Sequence, residues 1–390
     1  VVQLSKGKDK RKIYFTNQAY SALTLAYAET KNGWRKAQEY FFAQGGHKLA
    51  NGKLESIARI YNKQDKSQEE VDVYEYLITN NKEGKKIPEY ASYITKSYKK
   101  QEKMEQAEKT INRFVKFLDP KRKWYSINSQ FDEPRIRSNQ YREEEIDWLI
   151  TRFHKKAQES EKKNELDKAK VFYDKAVVYY EQYIELFPKS KFIYEYEFFL
   201  AEIYYFQMKK WDDAAKHYRR VVEIDPKGKY SKESAYAVIL AKQEKMVDAG
   251  LIKGTEKTGK KGKKRSRIQK ASVTYVKTDE SDDFKPVPKK ELQPLQTDFL
   301  EACGFYVDTF PKDNRVPEVS FLAAEIWIDS GHYKEGVKRL EVLLEYHSKH
   351  KFAGHAAAKL FDANYRLRDW DQMERWGRYM LKKRNFKVLS

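Results

Sequence analysis

Along this chain a bulky apolar residue, a small residue and a second apolar residue recur together at helical spacing. The sets are Trp34–Ala37–Phe41, Met104–Ala107–Ile111, Leu166–Ala169–Tyr173, Trp211–Ala214–Tyr218 and Tyr333–Gly336–Leu340, with a decayed copy at Trp370–Met373–Gly377. The small residue lets two helices approach closely, and the apolar residues on either side fill the groove. One helical hairpin cannot bury such a face alone, so it must stack on neighbours of its own kind. The pattern predicts an all-α solenoid of about seven or eight helical pairs.

The polar breaks between apolar stripes give the elements. A helix is expected over 14–30, a turn at Asn32-Gly33, and a partner helix over 34–44, closed by Gly45-Gly46. Leu54, Ile57, Ala58 and Tyr61 mark the next helix, and Val71, Tyr74, Leu77 and Ile78 the one after. Two further helices follow over 90–99 and 104–118. Residues 120–141 carry Pro120, Trp124, Phe131 and Pro134 without clear periodicity, and read as an irregular joint. Helices resume over 143–162, 166–187, 193–208, 211–224 and 231–249. The partner of this last helix is displaced to 292–310, beyond an inserted loop of Gly-, Lys- and Ser-rich, then acidic, composition. Two pairs close the array, 319–330 with 333–346 and 353–367 with 370–382. Only Ala271 to Val276 alternates at all like a strand.

Helix ends repeat as well. Asp119-Pro120-Lys121, Phe187-Pro188-Lys189, Asp225-Pro226-Lys227 and Phe310-Pro311-Lys312 each close an apolar helix. Proline stops a helix because it lacks the amide donor and clashes with the preceding turn. The domain organisation expected is helical pairs over 1–119, a joint over 120–142, central pairs over 143–249, a flexible basic-then-acidic insertion over 250–290, and C-terminal pairs over 291–390.

These residues resemble the tetratricopeptide repeat. Leu200-Ala201-Glu202-Ile203-Tyr204-Tyr205, Trp211, Ala214, Tyr218 and Pro226 carry the likeness, with a turn one residue longer than the family pattern. Ala323-Ala324, Trp327, Tyr333, Gly336 and Leu340 carry it again, although Ser348 stands where the family has Pro. The resemblance implies a right-handed α-α superhelix, to which the composition adds a long basic loop inserted in one repeat. It also implies a non-enzymatic scaffold that holds protein partners in its concave wall. In the family register Arg59, Lys96, Lys99, Tyr196, Phe199, Glu325 and Tyr365 point toward that wall. The Lys and Asn pair with which chaperone adaptors of the family grip a C-terminal carboxylate is not matched. Its positions hold Ser92 with Lys96, His154 with Gln158 and Phe321 with Glu325. A narrower likeness, in Tyr180 to Tyr205 with its Phe187-Pro188-Lys189-Ser190 phrase, is to the repeats of bacterial envelope proteins. Those include the lipoprotein of the outer-membrane assembly machine and the Tol–Pal coordinator. It implies a periplasmic or outer-membrane-associated setting, with a cytoplasmic one as the alternative.

Charge changes the picture in one place. The formal net charge is +20, and residues 253–270 hold nine Lys or Arg against the single acid Glu256. Lys260, Lys261, Lys263, Lys264, Arg265 and Arg267 are therefore candidates for contact with an anionic polymer or surface. A nucleic-acid adaptor using this loop is the rival function, disfavoured because no aromatic residue is interleaved for stacking. A repeat domain supporting an enzyme elsewhere in a larger protein is the other rival. The chain begins at Val1 rather than Met, so residues ahead of it are expected.

Catalytic chemistry is not evident. Gly254-Thr255-Glu256-Lys257-Thr258-Gly259-Lys260-Lys261 approaches a phosphate-binding loop but puts Lys261 where a hydroxyl must hold magnesium. His347, His350 and His355 cluster near a helix end, where imidazole also favours the helix dipole without a metal. Glu143-Glu144-Glu145 and Asp212-Asp213 read as acids at helix starts. Cys303, the only cysteine, lies in an apolar stripe and reads as a core thiol. No metal, cofactor or membrane span is expected.

Overall fold

The computed structural model describes residues 10–252 and 286–382, and among them every regular element is helical. The helices are α1 (Lys10–Glu29), α2 (Gly33–Lys63), α3 (Ser67–Asn80), α4 (Ile87–Lys100), α5 (Met104–Phe117), α6 (Lys123–Asn128), α7 (Asp132–Lys162) and α8 (Leu166–Leu186). After these come α9 (Ile193–Glu202), continued by a π-helical turn (Ile203–Met208), then α10 (Trp211–Ile224), α11 (Ser231–Asp248) and α12 (Pro294–Thr309). The last four are α13 (Val316–Asp329), α14 (Tyr333–His347), α15 (Ala353–Leu367) and α16 (Trp370–Lys382). α2 is kinked, with non-helical backbone at Gly45 and Gly46, so its two halves belong to different hairpins. Counted that way, and with the short α6 set aside, the described residues form eight successive helical pairs. The chain divides into two compact units, Val1–Tyr183 and Ile184–Ser390.

One turn recurs throughout. Left-handed residues Asn32, Asp65, Glu102, Asn164, Lys209, Gly331 and Arg368 each stand two positions ahead of the residue that opens the recurring set of the second helix. Those opening residues are Trp34, Ser67, Met104, Leu166, Trp211, Tyr333 and Trp370. In five of these turns the following amide reaches back five residues to a carbonyl. The bonds are Lys66 to Tyr61 (2.9 Å), Lys103 to Tyr98 (3.0 Å), Glu165 to Ser160 (2.9 Å), His332 to Trp327 (2.8 Å) and Asp369 to Asn364 (3.0 Å). This closure satisfies carbonyls that the helix end would leave open. In the sixth, Lys210 reaches back six residues, to Tyr204 (2.9 Å). The residue by which this repeat exceeds the family pattern is thus absorbed by the π turn inside the helix, and the connection itself is unaltered.

The small positions are where helices meet. Ala37, Ala107 and Ala214 are fully buried. A Cβ on Gly336 would come within 2.4 Å of Ile328 Cγ1, which explains glycine at that place. The structure also reveals a copy of the set hidden from sequence inspection, Ser67–Glu70–Tyr74. Glu70 occupies the small position, is 1% exposed, and accepts hydrogen bonds from Asn62 Nδ2 (3.1 and 3.2 Å) and Ser97 Oγ. A carboxylate is tolerated there because Asn62 of its own hairpin and Ser97 of the next one supply its donors.

Residues 120–142, expected as an irregular joint, are largely helical. α6 docks by Trp124, whose indole donates to the Gly84 carbonyl at 2.9 Å. α7 begins at Asp132, with Asp132 and Glu133 in its first turn and Pro134 where no amide partner is lost. Its opening face is buried through Ser138, Tyr141 and Arg142, polar enough to mask the helical period. Glu143-Glu144-Glu145 consequently lies in mid-helix, so the helix-start reading of those acids is corrected. Asp212 and Asp213 do occupy the first turn of α10. Cys303 is fully buried, and burial pushes its thiol up to about 12. The insertion 253–285, including the phosphate-loop look-alike and Ala271 to Val276, lies outside the described residues.

Candidate functional site: clefts between first helices

Two clefts in the first unit lie between first helices of hairpins. One, of about 260 Å³, is bounded by Ser21 and Thr24 of α1 and by Lys53, Ser56, Arg59, Ile60 and Lys63 of α2. The cations sit on one flank of α2 at helical spacing. The hydroxyls of Ser21, Thr24 and Ser56 donate to the carbonyls of Asn17, Tyr20 and Gly52, four residues earlier. They therefore leave the cleft with accepting oxygens and no spare protons, and the cations carry its character. No acid lines it. Arg59 has Glu55 at 3.6 Å, but that carboxylate is already held by Lys86 (2.8 Å) and Tyr90 (2.6 Å). Burial pushes the Lys53 ammonium below its ordinary value. Arg59 and Lys63 stay exposed, so only Lys53 is partly desolvated, and a carboxylate-bearing ligand would supply the counter-charge that the lining lacks.

The second cleft, of about 330 Å³, lies between α4 and α7. Glu89, Ser92, Tyr93 and Lys96 face Arg137, Gln140 and Glu144 across it. Arg137 and Glu89 approach to only 3.9 Å. The Tyr93 ring is stacked on Tyr74 (5.1 Å between centroids), which in turn stacks on Tyr90 (5.2 Å). A rigid, half-exposed aromatic beside mixed charges suits a peptide surface.

The structure distributes the seven expected contact residues unevenly. Arg59 and Lys96 line these two clefts and are exposed. Lys99 is turned inward, 2.5 Å from Glu145 and 3.8 Å from the Trp148 ring. Burial pushes Lys99 down and Glu145 up, so the pair is a buried tie between α4 and α7. Tyr196 is buried against Phe192, and Phe199 is half-buried near Tyr230. Tyr365 packs edge-on against Trp370. Glu325 is half-buried on α13, and burial pushes its carboxyl up to about 7, with Asp329 adding to the shift and Lys359 opposing it. Lys359 is itself engaged by Asp329 at 2.7 Å. Lys53, Lys63 and Arg137 were missed from the sequence, although Lys53 and Lys63 flank Arg59 on the same helix. Lys260, Lys261, Lys263, Lys264, Arg265 and Arg267 lie outside the described residues. No group of three metal-capable side chains occurs among the described residues. Nor is any helix there long and apolar enough to cross a membrane.

Glu325 gives a pH-dependent expectation. A carboxyl whose folded value lies above its unfolded one stabilises the fold below the unfolded value. That contribution is lost as pH rises through about 7. Glu325→Gln should remove this loss and stabilise the chain by about 1–2 kcal/mol at pH 8, with little change at pH 4. Denaturant unfolding at the two pH values measures it; equal effects at both refute the assignment.

Residues 200–228 match the family model of the tetratricopeptide repeat. No curated protein sequence matches the chain. Among solved structures, the chain is similar to MamA protein, at 10% identity over 62% of this chain and 94% of that one, with a TM-score of 0.33. It is similar to the apo form of RapI at 13% identity over 86% and 77%, with a TM-score of 0.33. A third is the TPR2AB domain of yeast Sti1, solved in complex with pHSP90, at 12% identity over 80% and 98%, with a TM-score of 0.25.

Proposed function

We propose that this chain is a non-enzymatic protein–protein interaction scaffold whose first unit receives an acidic stretch of a partner protein. The observation that carries this reading is the cleft of Lys53, Arg59 and Lys63, a cluster of cations with no acid in its lining. The cleft between α4 and α7 offers Tyr93 and Lys96 to the same kind of ligand. Both lie between first helices, the side that a tetratricopeptide array presents inward. The cellular setting we propose is the bacterial envelope, supported by the Phe187-Pro188-Lys189-Ser190 phrase and its looser copy Phe310-Pro311-Lys312-Asp313. Fractionation of cells into cytoplasm, periplasm and membranes tests the setting separately from the binding mode.

The binding mode is tested with photo-reactive residues at Ser56 and Ser92, in the clefts, and at Lys109, exposed on α5. One partner species should cross-link from the first two positions and not from the third. The triple variant K53E/R59E/K63E should weaken its capture at Ser56 by at least about tenfold. Cross-linking of equal strength from Lys109, or capture indifferent to the charge reversal, refutes the reading.

A further inference from the structure

A third cleft, in the second unit, runs along the exposed face of α10 and has a volume of about 550 Å³. Lys216, Arg219, Arg220 and Glu223 recur on that face at three- and four-residue spacing. The apolar part of its lining is Ile184, Ala215 and Val238. The stretch from Asp212 to Glu223 spans about 16 Å, the length of three helical turns.

The charges here are not all available. Lys242 is held by Asp212 (3.0 Å) and Asp298 (2.8 Å), and Arg220 reaches Glu223 at 3.3 Å. Glu197 is engaged by His217, whose Nδ1 lies 2.5 Å away. Lys216 and Arg219 have no carboxylate partner among the described residues. The Arg219 guanidinium lies over the Phe305 ring at 4.6 Å, which fixes it at the rim and leaves its charge uncompensated. Two cations without a carboxylate partner therefore border a floor whose accessible aliphatic carbon is mainly that of Ile184, since Ala215 and Val238 are each only 4% exposed.

We propose that this cleft is a second docking site, for an acidic amphipathic segment of a protein partner. Aliphatic side chains of the segment pack on Ile184 above the buried Ala215 and Val238, and its carboxylates meet Lys216 and Arg219. The floor favours peptide over nucleic acid, because no Phe, Tyr or Trp lines it, the buried His217 ring is already stacked on Tyr204, and the nearby Phe305 ring is taken by Arg219. The proposal extends the scaffold reading but rests on different residues, in a different unit. With both sites filled, the chain holds two acidic segments at once.

The test is a titration of the full chain, followed by fluorescence anisotropy. The main probe is a labelled synthetic peptide with Glu and Leu on opposite helical faces. The controls are a peptide of equal charge with Ser in place of Leu, and a single-stranded oligodeoxynucleotide. K216E/R219E changes only exposed side chains, and circular dichroism verifies that its fold is kept. In the K53E/R59E/K63E background, which removes the cleft between α1 and α2, the Glu/Leu peptide should still bind. Adding K216E/R219E should then weaken it at least about tenfold. Loss of binding in K53E/R59E/K63E alone, or indifference to K216E/R219E, overturns the proposal and leaves the first-unit reading standing. Equal competition by the Ser peptide or the oligonucleotide also overturns it, because the aliphatic floor then plays no part. Retained α10 binding with no effect of K53E/R59E/K63E on the wild-type titration instead sinks the first-unit reading alone.

Discussion

Phe41→Ala is expected to lower the stability of the first hairpin by about 3–5 kcal/mol. Phe41 closes the first recurring set and is fully buried. Its ring meets Tyr20 at 5.5 Å, Tyr27 at 6.0 Å and Tyr40 at 5.3 Å, all near edge-to-face. Removing it loses the transfer energy of the ring and those pairings, and leaves a cavity that two rigid helices cannot collapse to fill. In a stacked array each hairpin is supported only by its neighbours. The damage should therefore be local, and loss is measured best by amide hydrogen exchange. Protection should fall in α1 and the first half of α2, and persist in α4 and α7. Phe41→Leu, which nearly conserves volume, should cost less than about 1.5 kcal/mol. Uniform loss of protection across the first unit would show that its hairpins unfold as one block, against the modular account.

The same modularity decides what was legible beforehand. Trp211–Ala214–Tyr218 reads plainly because its small position is alanine, and α10 runs from Trp211 to Ile224 as the spacing requires. Ser67–Glu70–Tyr74 does not read, because Glu70 breaks the apolar code at the point of closest helix approach. Its burial depends on Asn62, and on Ser97 of the following helix, α4, and no local pattern announces those donors. The opening of α7 was hidden for a similar reason. Ser138 and Arg142 are buried by their partners rather than by their own hydrophobicity, Arg142 through Asp119 at 3.4 Å. The π turn was visible only as a repeat one residue too long; placing that residue required the Lys210 to Tyr204 bond.

The candidate site follows a different logic. Family register pointed to Arg59 and Lys96, which line the proposed clefts, but register alone cannot separate a free cation from one already committed. Lys99 occupies an equivalent face and is taken by Glu145 and Trp148. Lys53 and Lys63 stand beside Arg59 on the same helix and are lysines in a lysine-rich chain, so nothing in composition marks them. What distinguishes them is the missing counter-charge across the cleft, a property of α1 and α2 together.

Asp313→Ala should cost about 3–5 kcal/mol, the toll of removing one partner from a buried ionic cluster. The carboxylate is 5% exposed. It accepts from Tyr306 Oη (2.6 Å) on α12, from the Arg315 amide (2.9 Å) and Nε (3.0 Å) just ahead of α13, and pairs with Lys232 Nζ (3.1 Å) on α11. One side chain thus ties three helices, and its loss strands a phenol and an amide and leaves the Arg315 guanidinium with only Glu233, at 3.6 Å. Burial opposes its ionisation, yet the bonds from Tyr306, Arg315 and Lys232 outweigh burial and hold the carboxyl well below the usual range. A depressed folded value has a definite sign. The stabilisation is complete above the unfolded carboxyl value, near pH 4, and drains away as pH falls toward the folded value. Wild-type unfolding free energy should therefore drop on acidification below about pH 4, and Asp313→Ala should flatten that limb. Asp313→Asn keeps an oxygen acceptor for the Arg315 amide but surrenders the charge, so it should fall between the two. Denaturant titrations at pH 7 and pH 3 measure all three chains. A cost for Asp313→Ala below about 1 kcal/mol at pH 7 would mean that this carboxylate behaves as an ordinary exposed pair.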